Sequence, residues 1–113
     1  MSNQITKEDI LSFLRQQKTF LDEKFFVKKI GLFGSFVRNE ANEKSDIDFL
    51  VEFDAPLEIY ISNRNNLIEY LQKKFNRRVD IGAADSLKPY VKDRILKQAV
   101  YAWKGHYYNN FWQ

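Results

Sequence analysis

Apolar positions along the chain fall at helical spacing in some stretches and alternate in others, and the two patterns take turns. Residues 6–25 place Ile10, Phe13, Leu14, Phe20 and Leu21 on a broad stripe, which predicts a helix. Thr6 suits the N-cap, and Glu8 and Asp9 sit in the first turn, where the helix dipole favours acids. Residues 27–33, Val-Lys-Lys-Ile-Gly-Leu-Phe, predict a strand. Gly34-Ser35 breaks it, a short helix is expected to about Ala41, and Asn42-Glu43-Lys44-Ser45 reads as a polar loop. Residues 46–53 predict a second strand with Ile47, Phe49, Val51 and Phe53 on one side, ended by Pro56. Leu67, Ile68, Leu71 and Phe75 make 58–75 mostly helical, and 78–83 reads as a third strand. Ser86 is the expected cap of a last helix that tolerates Pro89 in its first turn. That helix carries Leu87, Val91, Ile95 and Ala99, and Gly105 is expected to close it.

The resulting order, α-β-α-β-α-β-α, indicates an α/β domain: a small mixed sheet of about three strands flanked by helices. The 113 residues leave room for one core. We therefore expect one domain over 1–103 and an aromatic tail over 104–113, in which Tyr107, Tyr108, Phe111 and Trp112 fold back on the core by default. With 10 Phe and 6 Tyr, that core can be large for the chain length.

The absence of cysteine excludes disulfides, zinc–thiolate sites and a cysteine nucleophile. It suits a reducing, cytoplasmic setting. The first nine residues lack the features of a signal peptide, and no apolar run reaches membrane-spanning length. Charge is uneven. Residues 1–56 hold 8 Lys+Arg against 10 Asp+Glu, and residues 57–113 hold 10 against 5. Asp46, Asp48, Glu52 and Asp54 crowd within nine positions, a clustered acidic site in a mildly basic chain. The basic half leaves RNA contact open, but it lacks the interleaved aromatics of an RNA platform. Lys73-Lys74 and Arg77-Arg78 alone read as a solvated face. His106, the single histidine, reads as structural or a partner contact.

The chemistry concentrates in Gly34-Ser35, ten residues, then Asp46-Ile47-Asp48. Strand residues two apart share a face, so Asp46 and Asp48 point the same way with Cα atoms roughly 6.5 Å apart. Carboxylates so placed repel unless a cation bridges them, and hard cations such as Mg²⁺ choose oxygen ligands and phosphates. Gly34-Ser35 stands between a strand and a helix, where free amides and the helix dipole favour a phosphate. Arg38 lies one turn on; it reaches the same phosphates or pairs with Glu40 or Glu43. Asp80, between Val79 and Ile81, is an acid among β-branched neighbours that needs a partner. Three such acids can hold two ions, or two can hold ions while the third accepts a proton.

This arrangement resembles the signature of the polymerase-β-like nucleotidyltransferase superfamily. The runs 34–53, 77–81 and 86–96 resemble its minimal nucleotidyltransferase (MNT) branch, and the likeness covers about residues 5–103. The family often has Gly where this chain has Asn39, which concerns the local turn. The resemblance implies the superfamily's nucleotidyltransferase fold. It also implies a triphosphate held by Gly34 and Ser35, metals (two Mg²⁺ ions) on Asp46 and Asp48, and Asp80 completing the catalytic trio. ATP is the implied donor of AMP. Because no acceptor domain is present, the implied acceptor is a partner: a tyrosine of a cognate HEPN-domain RNase toxin, silenced within a hetero-oligomer. Two other readings stand beside it. The chain neutralises its partner by masking alone, or it transfers nucleotides to a small molecule or RNA end.

Overall fold

The structure, a computed structural model, describes residues 4–83 and 87–103. Helix α1 spans Lys7–Gln16 and opens with a reciprocal cap: the Asp9 amide donates to Thr6 Oγ1 (3.1 Å) and the Thr6 amide to Asp9 Oδ2 (3.0 Å). The expected single helix over 6–25 is instead two, because Gln17 leaves helical geometry (φ −100°, ψ 15°) and α2 runs Lys18–Phe25. Between Leu14 and Phe20 every residue is polar, so nothing there is drawn to the core. The break lets Leu21 and Phe25 of α2 be buried alongside Ile10, Leu11 and Leu14 of α1.

Strand β1 is Val27–Phe33, as expected, and strand β2 is Ile47–Phe53, one residue shorter than expected, so that Asp46 stands just before it. The two pair antiparallel, with a register shift between Val27 and Lys29 that lets Val27 and Ile30 both face the core. After a 3₁₀ turn at Leu57–Ile59 comes helix α3, Tyr60–Phe75, ended by Asn76 in the left-handed conformation (φ 50°). Strand β3, Val79–Ala83, lies parallel to β2, and α3 makes the crossover.

The last helix, α4, is Pro89–Gln98, with Lys88 at its N-cap and Pro at its first position. It ends well before Gly105, and Val100–Tyr101 form a fourth strand, β4, antiparallel to β1. The sheet therefore has four strands, in the order β3-β2-β1-β4, and is mixed. Arg15 Nε donates to the Ala102 carbonyl (2.7 Å) and Trp103 Nε1 to the Lys28 carbonyl (3.1 Å), tying this edge down. Ser86, Gly105 and the tail 104–113 lie outside the described residues.

One sheet face carries the core. Ile30 and Leu32 of β1, Ile47, Phe49 and Val51 of β2, and Val79 and Ile81 of β3 join Leu67 and Leu71 of α3 and the buried stripe of α1 and α2. Helix α4 lies over the opposite face, where it shares a cleft with Phe33, Gly34 and Asp48. No described helix is long and apolar enough to cross a membrane.

Candidate active site

The register of β1, β2 and β3 assembles the site. Asp48 is flanked by Phe33 on β1 and by Asp80 on β3, and register partners project to the same face. Adjacent strands lie about 4.8 Å apart, so two carboxylates stand side by side there. The apolar alternation that buries Ile47, Phe49 and Val51 is what turns Asp48 away from the core. Leu50, on the acid face, is buried too, so that face is apolar at one end and acidic at the other.

Asp48 is half-buried, and its pKa is raised: burial contributes most, then the charges of Asp80 and Asp46, while the Arg38 guanidinium pulls it back. A carboxylate resisting ionisation beside two others is the arrangement a hard cation relieves, since it replaces lost water and cancels the repulsion. The donor set therefore fits a divalent metal. The set is not pre-closed: among the described residues no three acids or histidines converge as a ready metal cage. Asp46 Oδ1 instead accepts from Arg78 Nε (3.0 Å), and Arg78 is four-fifths exposed. Exposed pairs of this kind contribute little and yield readily to a cation.

Gly34 follows β1 with φ +78°, a conformation L-residues avoid. A Cβ there would come 3.1 Å from Asp48 Cγ and closer still to Oδ2. The residue is thus glycine for its backbone angle and for the close approach of Asp48. The helix expected to follow is a single 3₁₀ turn, Gly34–Phe36, with the Val37 and Arg38 amides bonded back to the Gly34 carbonyl (3.1 and 3.2 Å). Asn39 (φ 59°) stops it in the left-handed conformation. Ser35 is at the centre of this turn and half-buried. So short a turn carries no helix dipole, and any phosphate bound here would meet turn amides and the Ser35 hydroxyl.

Arg38 takes the ion-pair option of its sequence position while standing at the cleft. Its Nε donates to Glu40 Oε1 (2.9 Å), and the residue also lines the cleft beside Asp48. That cleft, of about 370 Å³, is closed on its far side by Val91, Arg94, Ile95 and Gln98 of α4. Sequence reasoning placed neither Arg78 nor Arg94 at the site: Arg77-Arg78 reads as a solvated face, and Arg94 stands out only as part of the 86–96 run. Glu52 sits away from the acids, its carboxylate 4.0 Å from Lys29 Nζ.

Three comparisons bear on this geometry. The sequence model of the nucleotidyltransferase domain family matches residues 14–102. A protein adenylyltransferase of Thermococcus cleftensis is 41% identical over 99 residues, which cover 86% of this chain and 96% of the relative. Among solved structures, a candidate minimal nucleotidyltransferase superimposes with a TM-score of 0.70 at 27% identity, over 88% of this chain and 98% of the other. An MNT antitoxin in complex with a tri-AMPylated HEPN toxin of Shewanella oneidensis gives 0.56 at 20%, over 82% and 71%, a likeness of fold.

Proposed function

This chain belongs to the nucleotidyltransferase domain family and is an enzyme of that kind, and we propose that it moves AMP from ATP onto a tyrosine hydroxyl of a cognate HEPN-domain toxin, so acting as its antitoxin. The observation that carries the reading is the pairing of Asp48 with Asp80 across parallel strands, with Gly34 packed against Asp48. The protein-adenylyltransferase name of a relative 41% identical over nearly its whole length supports a protein acceptor. The MNT–HEPN complex supports the class of partner and a hetero-oligomer with it.

In this reading the donor's triphosphate lies in the cleft between the acids and α4. Gly34 admits it close to the backbone, and Ser35 and Arg38 donate to its oxygens. Asp46 and Asp48 would hold Mg²⁺, and when bound there the metal supplies positive charge against the triphosphate and the reacting oxygens. The acceptor hydroxyl attacks the α-phosphorus in line. The new O–P bond forms as the bond to the bridging oxygen breaks and pyrophosphate leaves. Asp80, the most exposed of the three acids, takes the proton the hydroxyl loses.

The test is to incubate the protein with a HEPN-domain protein as candidate partner, Mg²⁺ and ATP, and to weigh that partner by intact mass spectrometry. A gain of whole AMP units, absent with Asp46→Asn, is expected. No gain with any of the four nucleoside triphosphates, while the two proteins still bind, would leave masking as the means of neutralisation.

A further inference from the structure

The cleft beside Asp48 has walls of opposite sign. One carries Asp48, with Asp80 beside it in register; the other is α4, which contributes Arg94. The remaining arginines near the sheet each have a partner in this structure, although Arg38 also lines the cleft and is placed to join Arg94 there. Arg38 is held by Glu40 and Arg78 by Asp46. Arg77 donates to the Asn42 and Ser45 carbonyls, and Arg64 to the Ile81 carbonyl. Arg94 makes no hydrogen bond or ion pair among the described residues, although it lines a concave site.

A free anion entering this cleft meets the carboxylates and is repelled; a free cation has no use for Arg94. The ligand that satisfies both walls carries its own cation on one part and bare anionic oxygens on another, which describes a metal-chelated polyphosphate. With the reacting α-phosphate at the acids, the remaining phosphates extend towards α4. We propose that Arg94 binds the β and γ phosphates of the donor nucleotide, neutralising the pyrophosphate as it leaves. This rests on the nucleotidyltransferase reading and adds a binding residue that the Gly34–Asp48 segment does not supply. A guanidinium is well matched to this role, being always charged and presenting a planar fork of donors to phosphate oxygens.

Three measurements on the full chain test this, each on the parent, Arg94→Gln and Arg94→Lys: melting temperature without ligand, melting temperature with Mg²⁺ alone, and MgATP affinity by titration calorimetry. Because Arg94 is exposed and unpartnered, the ligand-free melting temperature and the shift produced by Mg²⁺ alone are expected to match the parent in both variants. MgATP affinity is expected to fall about 10- to 100-fold in Arg94→Gln, the usual effect of losing hydrogen bonds to a charged group. Arg94→Lys should recover part of that loss, keeping the charge without the fork. Equal MgATP affinity in the parent and Arg94→Gln overturns the proposal. So does a lowered ligand-free melting temperature with a parallel loss of the Mg²⁺ response, which marks a structural role. Failure of the parent itself to bind MgATP removes the nucleotidyltransferase-substrate reading, and this inference falls with it.

Discussion

Replacing Gly34 with alanine should damage stability and transfer together, for two separable reasons. The first is the backbone: at φ +78° an L-residue pays roughly 1–2 kcal/mol. The second is the close approach. The added methyl would lie 3.1 Å from Asp48 Cγ and 3.3 Å from Asp48 Cβ, so the carboxyl must leave its rotamer, at about 0.5–1.5 kcal/mol. Together these give about 1.5–3.5 kcal/mol, or a fall of about 6–14 °C in melting temperature at roughly 4 °C per kcal/mol for a domain of this size. The assay is thermal unfolding of Gly34→Ala in two backgrounds, parent and Asp48→Ala. With the carboxyl gone, only the backbone part should survive, so the two substitutions should couple by about 0.5–1.5 kcal/mol. AMP transfer by Gly34→Ala should fall at least tenfold, because Asp48 is displaced. A variant that melts with the parent and transfers normally would refute the reasoning. An equal loss in both backgrounds would refute the collision alone.

Asp48→Asn should abolish transfer yet raise the stability of the metal-free protein, since it removes a half-buried charge flanked by two others. The pH dependence has a definite sign: with the folded pKa raised, the folded state binds the extra proton. The parent therefore loses stability relative to Asp48→Asn as pH rises from the usual carboxylate value of 3.8 through the raised one, which paired melting curves would reveal. Gly31→Ala should loosen β4 from β1, because its methyl would meet the Val100 carbonyl oxygen at 2.6 Å and Tyr101 Cα at 2.8 Å, both backbone. We expect a loss of about 1–3 kcal/mol in urea unfolding, with a changed tryptophan emission as Trp103 releases the Lys28 carbonyl.

What could be read from the sequence were the elements whose pattern and burial agree. Strand β1 follows from its apolar run ended by Gly34-Ser35, β2 from Ile47-Phe49-Val51, and α3 from Leu67 and Leu71, all of which are buried. The helical break at Gln17 was hidden because nothing but a lack of apolar residues marks it. The turn after Gly34 proved shorter than a helix because Asn39 adopts a positive φ, which the sequence permits without requiring. Strand β4 escaped because two residues give no alternation to read, and their role is set by the edge of β1. At the candidate site, local spacing singled out Asp46, Asp48, Gly34 and Ser35. Asp80 stood out locally as an acid in need of a partner, and its place beside Asp48 was implied by the family resemblance rather than by spacing. Arg78 and Arg94 were not found, because their approach depends on β3 and α4 folding over a face that no local pattern describes.

The register that pairs Asp48 with Asp80 also bears on how the chain folds. Strands β1 and β2 form a nearly local antiparallel pair, whereas β3 must return across α3, a longer closure that rewards the chain later. Until it arrives, β2 is an open edge carrying Ile47, Phe49 and Val51, the kind of edge that recruits a second copy. An in-register parallel copy would set Asp48 against Asp48 and Asp46 against Asp46. Like charges set directly opposite one another disfavour that pairing, so the same carboxylates would bias an uncovered β2 edge away from in-register self-association until β3 covers it.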